Sequence, residues 1–366
     1  MAGELLAGGT GDFLRAHRLT ATGNQVEIGR RLAREARLSY GWRPEPAEPR
    51  RARARRRWFA ENWPQHHDRM RGAAEEAGLT FEDDRYHLDG LTGLPRGAGC
   101  SATFRDGVLA RNFDFFTTSK AELMGLLAGQ VVDSDDPPMV SRPYVLHSQP
   151  TDGPATLLIT ADTLDACMDG VNEHGLAVVL LIADAENTTT PVEAPPQVGL
   201  NSAQLPRFLL DTCATAEQAR DALLHVKQYD YGTPLHYLVA DASGDCFVWE
   251  RGPGGDEHIT DGDGALCVTN HLLHRHPGAD GLPADTAETM LTFQRYRRLA
   301  KATAAGVPHR QALDEISFDA RADSPYPIRT LWRSAFDLGT RELSVRFYLG
   351  DAEQGSRYSE EITLAC

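Results

Sequence analysis

Hydrophobic and polar residues are arranged in two different ways along this chain, and the change falls near residue 100. Residues 26–38 place apolar side chains at positions 28, 32 and 38 with arginine and glutamate between them, which predicts an amphipathic helix. A second helix is predicted over residues 58–77, ending at Gly78. Residues 91–99 have the glycine-rich composition of an exposed loop. We therefore expect residues 1–99 to be mainly helical.

Strand patterns dominate after Cys100. Residues 101–104 and 108–116 flank Asp106-Gly107, a dipeptide that strongly favours a hairpin turn. Residues 175–182 are continuously apolar, as in a strand buried on both faces. The other predicted strands lie within residues 236–250, 266–269, 330–336 and 342–349, and the other predicted helices at 206–213, 216–227 and 287–304. Hairpins outnumber helices, so the expected class is α+β, with antiparallel sheets and helices packed outside them.

Composition and charge limit the classes of partner. The 366 residues are 41% hydrophobic, enough for one large core or two modest ones. Residues 1–99 contain 17 arginines, no lysine and 14 acidic residues, a formal charge of +3, whereas the remainder carries −18. An acidic main body argues against nucleic acid as a partner. The arginine-rich residues 50–57 are interpreted as the solvated face of a helix.

Cysteine and histidine spacing gives no metal motif. The six cysteines show neither a CxxC pair nor a zinc pattern; they stand at positions 100, 167, 213, 246, 267 and 366. His271, His274 and His276 are close in sequence but have no fourth ligand at suitable spacing, so neither a metal nor a cofactor is predicted. No signal peptide and no membrane-spanning stretch is recognised. We expect a soluble, cytoplasmic protein with reduced thiols and no membrane partner.

Cys100 is the residue whose surroundings best suit chemistry. It follows small residues and precedes a predicted strand, so thiolate attack on the carbonyl of Gly99 would give a thioester, and hydrolysis would free the α-amine of Cys100. An α-amine has a pKa near ~8 and can act as the base for the thiol of its own residue. On this stretch alone, an ordinary buried thiol is an equal alternative.

Several motifs taken together resemble the choloylglycine-hydrolase and penicillin-acyltransferase group of N-terminal-nucleophile (Ntn) hydrolases. They lie at residues 23–29, 73–83, 111–114, 170–176, 235–241, 269–271 and 292–296. The resemblance implies a four-layer αββα sandwich of antiparallel sheets. It also implies a helical pro-segment at residues 1–99, a catalytic core at 100–366, and an α/β heterodimer after cleavage between Gly99 and Cys100; a homo-oligomer is left open.

The resemblance also implies roles for five residues. Cys100 is the nucleophile, and Arg111 lies beside its thiol, favouring the thiolate and polarising the substrate carbonyl. Asp114 accepts a hydrogen bond from the α-ammonium of Cys100, and Arg295 completes a charge network with Asp114. Asn270 donates its side-chain NH₂ to the oxyanion.

Each of these roles has an ordinary structural alternative. Asn270 follows a strand and suits a turn, Arg295 suits a solvated helix face, and each charge suits a structural ion pair. Strict strand alternation puts Arg111 and Asp114 on opposite faces unless the strand is bulged or one of them lies at its end.

The expected activity is amide hydrolysis or N-acyl transfer through an acyl-Cys100 intermediate, on a small N-acyl amine or an acyl thioester. An acyl-CoA-dependent N-acyltransferase of secondary metabolism is an alternative within this class. Ile182 stands where bile-salt hydrolases carry asparagine, so bile salts are not expected, and residues 117–142 and 184–198 are predicted to shape the pocket. The alternatives outside this class are a non-enzymatic Ntn-fold binding protein and a papain-like enzyme using His236 or His271.

Overall fold

The computed structural model describes residues 3–89, 99–161, 166–183, 197–230, 234–252, 255–320 and 326–366. The strands in this part of the chain are β1 (Glu4–Ala7), β2 (Ala16–Gly23), β3 (Glu45–Pro46), β4 (Tyr86–His87), β5 (Cys100–Arg105), β6 (Val108–Phe116), β7 (Tyr144–Pro150), β8 (Thr156–Thr160), β9 (Asp169–Asn172), β10 (Ala177–Ile182), β11 (Leu200–Asn201), β12 (Gln228–Tyr229), β13 (Leu235–Ala240), β14 (Cys246–Arg251), β15 (Glu257–Gly262), β16 (Ala265–Val268), β17 (Ile328–Asp337), β18 (Glu342–Ala352), β19 (Gly355–Tyr358) and β20 (Ile362–Ala365).

The helices are α1 (Gln25–Tyr40), α2 (Pro49–Asn62), α3 (Pro64–Glu76), α4 (Lys120–Leu127), α5 (Leu205–Thr212), α6 (Ala216–His225), α7 (Thr292–Ala304) and α8 (His309–Asp314). None of these described helices is both long enough and apolar enough to cross a membrane.

Two large sheets form the centre of the molecule. The nine-stranded sheet has the order β1-β2-β7-β8-β9-β10-β13-β14-β15. The seven-stranded sheet has the order β16-β5-β6-β17-β18-β19, with β20 paired to β18. The two sheets contact each other through β10 and β5, β9 and β17, and β14 and β16.

Helices cover the outer face of each sheet. Helices α5 and α6 pack against β9, β10 and β13 of the nine-stranded sheet, while α7 and α8 pack against β16, β5 and β6 of the other. Each sheet thus buries one face against a sheet and the other against helices, which gives long runs of fully buried residues such as β10. The predicted four-layer αββα sandwich is confirmed.

The large sheets are antiparallel, as predicted, with the exception of one pair of strands. In the described residues of the two large sheets, β2 and β7 run parallel, pairing His17 with Tyr144 and continuing to Gly23 with Pro150. A parallel pair requires a long crossover. Here helices α1 to α3 and the β5–β6 hairpin of the opposite sheet lie between the two strands in sequence.

The prediction that residues 1–99 are mainly helical missed β1 and β2, which extend the nine-stranded sheet. The inward positions of β2 include alanines, which are depleted in strands, so its strand signal is weak. The single helix predicted over residues 58–77 is two helices, because Pro64 cannot continue α2 and instead occupies the first turn of α3. The described part of the segment is therefore built into the sandwich.

The arginine-rich residues 50–57 lie in α2, and only part of this run is the predicted solvated face. Arg53 and Arg56 both bond to Asp84 at 2.7 Å near the surface. Arg55 is 1% exposed and forms an ion pair with Asp89, which is also buried. The solvated-face interpretation was wrong for Arg55, because its guanidinium has a carboxylate partner inside the protein.

Two local features position the candidate site. In the β5–β6 hairpin, Asp106 and Gly107 have φ values of 52° and 75°, the left-handed pair of a tight two-residue turn, as the sequence predicted. Helix α7 begins at Thr292 rather than at residue 287, because Met290 and Leu291 both have left-handed φ values that a helix cannot include.

Candidate active site

The thiol of Cys100 is in direct contact with a buried guanidinium. Cys100 begins β5 and Arg111 lies on the neighbouring strand β6, opposite Ala102. The side chains of Cys100 and Arg111 share one face of the sheet, and Nη2 of Arg111 donates to Sγ at 3.2 Å. The sulfur of Cys100 and a guanidinium nitrogen of Arg111 are thus within hydrogen-bonding distance inside the protein.

Asp169 holds Arg111 from the opposite sheet. It lies on β9, and its Oδ1 forms an ion pair with Nη1 of Arg111, which also donates to the carbonyl of Met168 at 2.9 Å. Oδ2 of Asp169 accepts from Nε1 of Trp332 at 2.8 Å and from Oγ of Ser334 at 2.9 Å. Asp169 was not predicted as a site residue, although a carboxylate directly before the Gly170 motif in a buried strand signals the need for a partner.

Arg295 binds the backbone of Cys100 from the helical side. Its Nη1 donates to the carbonyl of Cys100 at 2.6 Å and to Oγ of Ser101 at 2.8 Å, while Nε donates to the carbonyl of Met290 at 3.0 Å. Nη2 donates to Oδ1 of Asn270 at 2.6 Å. Arg295 is 3% exposed, so the solvated-face alternative does not apply.

Asn270 faces the amide of Cys100 with its oxygen. Its Oδ1 accepts from the backbone N–H of Cys100 at 2.9 Å, and its Nδ2 donates to the carbonyl of Ile182 at 2.8 Å. Its own backbone N–H donates to Oγ1 of Thr292 at 2.8 Å, which fixes the residue between β16 and α7. In the intact chain the NH₂ group is therefore engaged with a protein carbonyl, and its role toward an oxyanion stays a prediction.

Asp114 lies on the face of β6 opposite to Arg111, as strict alternation requires. Its carboxylate accepts from Oγ1 of Thr330 and lies 3.9 Å from Nη1 of Arg295. Burial raises the pKa of Asp114 to about 6, and the charge of Arg295 only partly offsets this. Burial also lowers the pKa of Arg295.

The backbone N–H of Cys100 donates to Asn270 and not to Asp114. The register of β6 against β5 is regular, and the bulge lies in β17, between Thr330 and Trp332. Arg111 and Asp114 therefore act on different faces of one strand. The hydrogen bond from the α-ammonium of Cys100 to Asp114 stays a prediction for the cleaved chain.

Gly99 is closely packed. A Cβ at this position would lie 2.9 Å from Cε2 of Phe318 and 3.4 Å from Nη2 of Arg295. Phe318 is 2% exposed, so its ring has little room to move aside. The residue before Cys100 must be small for this packing, and residues 91–98 of the predicted loop lie outside the described residues.

The two histidines of the papain-like alternative have other partners. His236 has one ring nitrogen 3.1 Å from a carboxylate oxygen of Glu250 and the other 2.7 Å from the carbonyl of Thr269. Burial lowers the pKa of His271 to about 3. Among the described residues, the thiol of Cys100 is bonded to Arg111 and to neither histidine.

The chain matches the model of one protein family. Residues 103–337 match "Acyl-coenzyme A:6-aminopenicillanic acid acyl-transferase", which covers more than half of the chain and starts just after Cys100. No curated protein matches the chain.

Solved structures of low identity are also similar to it. A conjugated bile acid hydrolase from Clostridium perfringens is 13% identical, with a TM-score of 0.45, covering 73% of this chain and 97% of its own. A penicillin V acylase from Agrobacterium tumefaciens is 15% identical, with a TM-score of 0.44 and coverages of 71% and 84%. A Caenorhabditis elegans ortholog of N-acylethanolamine-hydrolyzing acid amidase is 12% identical, with a TM-score of 0.41 and coverages of 66% and 93%.

The assignment rests on the family match, which includes Arg111, Asp114, Asn270 and Arg295. This chain belongs to the acyl-coenzyme A:6-aminopenicillanic acid acyl-transferase family and is an enzyme of the Ntn type, an amide hydrolase or acyltransferase.

Proposed function

We propose that this chain cleaves itself between Gly99 and Cys100, and that the mature enzyme hydrolyses or transfers the acyl group of a small N-acyl amine through an acyl-Cys100 intermediate. The observation that carries the proposal is the set of contacts at one residue. Arg111 touches the thiol of Cys100, Asn270 accepts from its N–H, and Arg295 donates to its carbonyl. A merely structural cysteine has no need for two buried arginines and an asparagine.

Self-cleavage begins with attack of the Cys100 thiol sulfur on the carbonyl carbon of Gly99. The C–S bond forms as the C–N bond breaks, and the thiol proton passes to the departing nitrogen, which becomes the α-amine of Cys100. Water then hydrolyses the thioester and leaves a carboxylate on Gly99. Asn270 holds the N–H of Cys100, and Arg295 holds its carbonyl, so the leaving nitrogen is fixed during the attack.

The freed α-amine serves as the base in turnover. It takes the proton of the thiol, and the thiolate, stabilised by Arg111, attacks the acyl carbon of the substrate. The NH₂ of Asn270 donates to the resulting oxyanion, a contact worth about 3 kcal/mol in the transition state. The α-ammonium, held by Asp114, returns its proton to the leaving amine. Water or a second amine then releases the acyl group from sulfur.

The cleaved segment stays bound as the α subunit of a heterodimer. Arg69, in the segment, forms a buried ion pair with Asp211 of the core at 2.6 Å, and Trp63 donates to the same carboxylate at 3.0 Å. Strands β1 and β2 also pair within the nine-stranded sheet. Separation of the two chains would expose these groups and break the sheet.

The substrate proposed is a small N-acyl amine or an acyl thioester. The matched family is named for acyl transfer between acyl-coenzyme A, a thioester, and the amine 6-aminopenicillanic acid. Ile182 is apolar and 4% exposed, whereas bile-salt hydrolases carry a polar asparagine at this position. Bile salts are therefore not proposed as substrates. Six unpaired cysteines support a reducing compartment such as the cytoplasm.

Intact-mass analysis of the expressed chain tests the proposal. We expect two fragments that begin at Met1 and Cys100, and the Cys100→Ala chain to stay whole. Cleaved wild-type enzyme should release amine from a panel of N-acyl amines, and a thiol-directed acyl analogue should label Cys100. A chain that remains whole, hydrolyses nothing and is not labelled at Cys100 would favour a non-enzymatic binding protein.

A further inference from the structure

A row of polar side chains crosses three strands of the nine-stranded sheet. The strand register pairs His236 on β13 with Glu250 on β14, and Glu250 with His258 on β15. His274, in the turn after β16, stacks on His258 with ring centroids 3.7 Å apart and the planes at 13°. Asp256, just before β15, is hydrogen-bonded to Nε2 of His258.

The three outermost residues of this row have the chemistry of a metal site. One ligand atom from each of Asp256, His258 and His274 lies within 4.8 Å of the other two. Their side chains are 57%, 34% and 20% exposed, so an ion can reach them from solvent. Two imidazoles and a carboxylate form a ligand set that suits zinc, and they leave a coordination position for water.

Glu250 holds His274 and its neighbour Leu273 from the interior of the protein. It is fully buried, and its carboxylate accepts from the backbone N–H groups of Leu273 and His274 at 2.7 and 3.0 Å. The same carboxylate lies 3.2 Å from Nδ1 of His274. Metal-binding histidines commonly hold one ring nitrogen on a carboxylate in this way, which leaves the other nitrogen to coordinate. For His274 the coordinating atom is then Nε2.

We propose that Asp256, His258 and His274 bind one zinc(II) ion or a similar transition-metal dication, with Glu250 orienting His274. Zinc binds the lone pairs of neutral imidazoles, so the ion would take the place of the hydrogen bond between Asp256 and His258. The sequence spacing of His271, His274 and His276 predicted no metal site. The partners of His274 come instead from β15 and the residues before it, which linear spacing does not reveal.

Zinc titration of the chelator-treated full-length protein tests this site. A chromophoric chelator serves as competitor, and bound zinc is counted by mass spectrometry. We expect one ion per chain, with affinity reduced at least about 10-fold in His258→Ala and in His274→Ala, and by about 10–100-fold in Glu250→Gln. The matched control is His174→Ala, since His174 is an exposed histidine next to Glu173 on another turn.

Cobalt(II) distinguishes this site from the cysteines. At Asp256, His258 and His274 it should give visible bands without the thiolate-to-metal band in the near ultraviolet. The proposal is overturned if the wild type takes up no stoichiometric zinc, or if binding is equally tight in the double variant His258→Ala, His274→Ala. It is also overturned if cobalt is bound only through thiolate. Circular dichroism of each variant confirms that the loss is not one of folding.

Discussion

Arg111 and Asp169 form an ion pair that joins the two sheets, because Arg111 lies on β6 of the seven-stranded sheet and Asp169 on β9 of the nine-stranded one. Both side chains are fully buried. The same guanidinium touches the thiol of Cys100, so the position of the cation beside this sulfur depends on a residue of the other sheet.

Replacement of Asp169 should destabilise the protein strongly. Asp169→Ala leaves Arg111 as an unpaired buried charge, and loss of one partner of such a pair costs about 3–5 kcal/mol. Urea unfolding should be measured in the uncleavable Cys100→Ala chain, so that subunit dissociation does not enter. The control is Glu75→Ala, which breaks the half-exposed pair with Arg30 and should cost about 0–1 kcal/mol. Equal midpoints for the two variants would contradict the structural importance of Asp169.

Asp114 should give the folded protein a specific pH dependence. Burial raises its pKa from 3.8 to about 6, so between these values the unfolded chain has lost the proton while the folded chain retains it. The folded state binds more protons there, and stability must fall as the pH rises from about 4 to 6, by up to about 3 kcal/mol, and then level off.

The variant Asp114→Asn should lack this component, because its side chain does not titrate. The measurement is the free energy of unfolding of the Cys100→Ala chain with and without Asp114→Asn, at half-unit pH steps from 4 to 7. Other titrating groups contribute equally to both curves. A difference curve that is flat across this range would show that Asp114 has an ordinary pKa.

Local sequence rules were sufficient for the hairpin that carries Cys100. Asp106-Gly107 fixed the turn, and alternation along β6 correctly placed Arg111 and Asp114 on opposite faces. These features depend on neighbours in sequence. Asp169 was not found, because its contact with Arg111 arises only when the two sheets pack together.

The orientation of side chains at the site also required the structure. The sequence marked Asn270, but which end of its amide faces Cys100 depends on Arg295 and on the carbonyl of Ile182. Strand β2 was missed for a related reason. Its alanines have little intrinsic strand signal, and pairing with β7, far along the chain, determines the strand.

Gly99→Ala should slow self-cleavage, because the added Cβ would lie 2.9 Å from the ring of Phe318. Relief of this contact must move Phe318 or displace the carbonyl that the thiolate attacks. We expect cleavage at least about 10-fold slower, equivalent to about 1.4 kcal/mol, when intact mass is followed over time. Gly278→Ala is the matched control, since a Cβ there meets nothing within 4 Å. Adding Phe318→Leu to Gly99→Ala should partly restore the rate. If Gly99→Ala cleaves at the wild-type rate and Phe318→Leu changes nothing, packing against Phe318 is not the reason for a glycine at position 99.

The two chains should remain together after cleavage. The uncleaved chain has a mass of 40.1 kDa, and native mass spectrometry of the cleaved protein should show both fragments in one particle. Asp211→Ala removes the carboxylate that holds Arg69 and Trp63, so this variant should release the smaller fragment at lower urea concentrations. Asp261→Ala is a suitable control, because it breaks the exposed ion pair with Arg220 within the core chain. Spontaneous separation of the wild-type fragments would contradict the heterodimer.

Asn270 should act as an acceptor before cleavage and as a donor during turnover, and two variants separate these roles. Asn270→Asp retains an oxygen for the N–H of Cys100 and for Arg295, but it has no NH₂ to offer an oxyanion. We expect Asn270→Asp to cleave itself while its kcat falls about 100-fold or more, in line with the loss of one oxyanion donor. Asn270→Ala lacks both groups, so it should be slow in cleavage as well. Intact mass gives the first rate, and steady-state amine release per labelled thiol gives the second. If Asn270→Asp cleaves as slowly as Asn270→Ala, or turns over as fast as the wild type, Asn270 does not change role between the two steps.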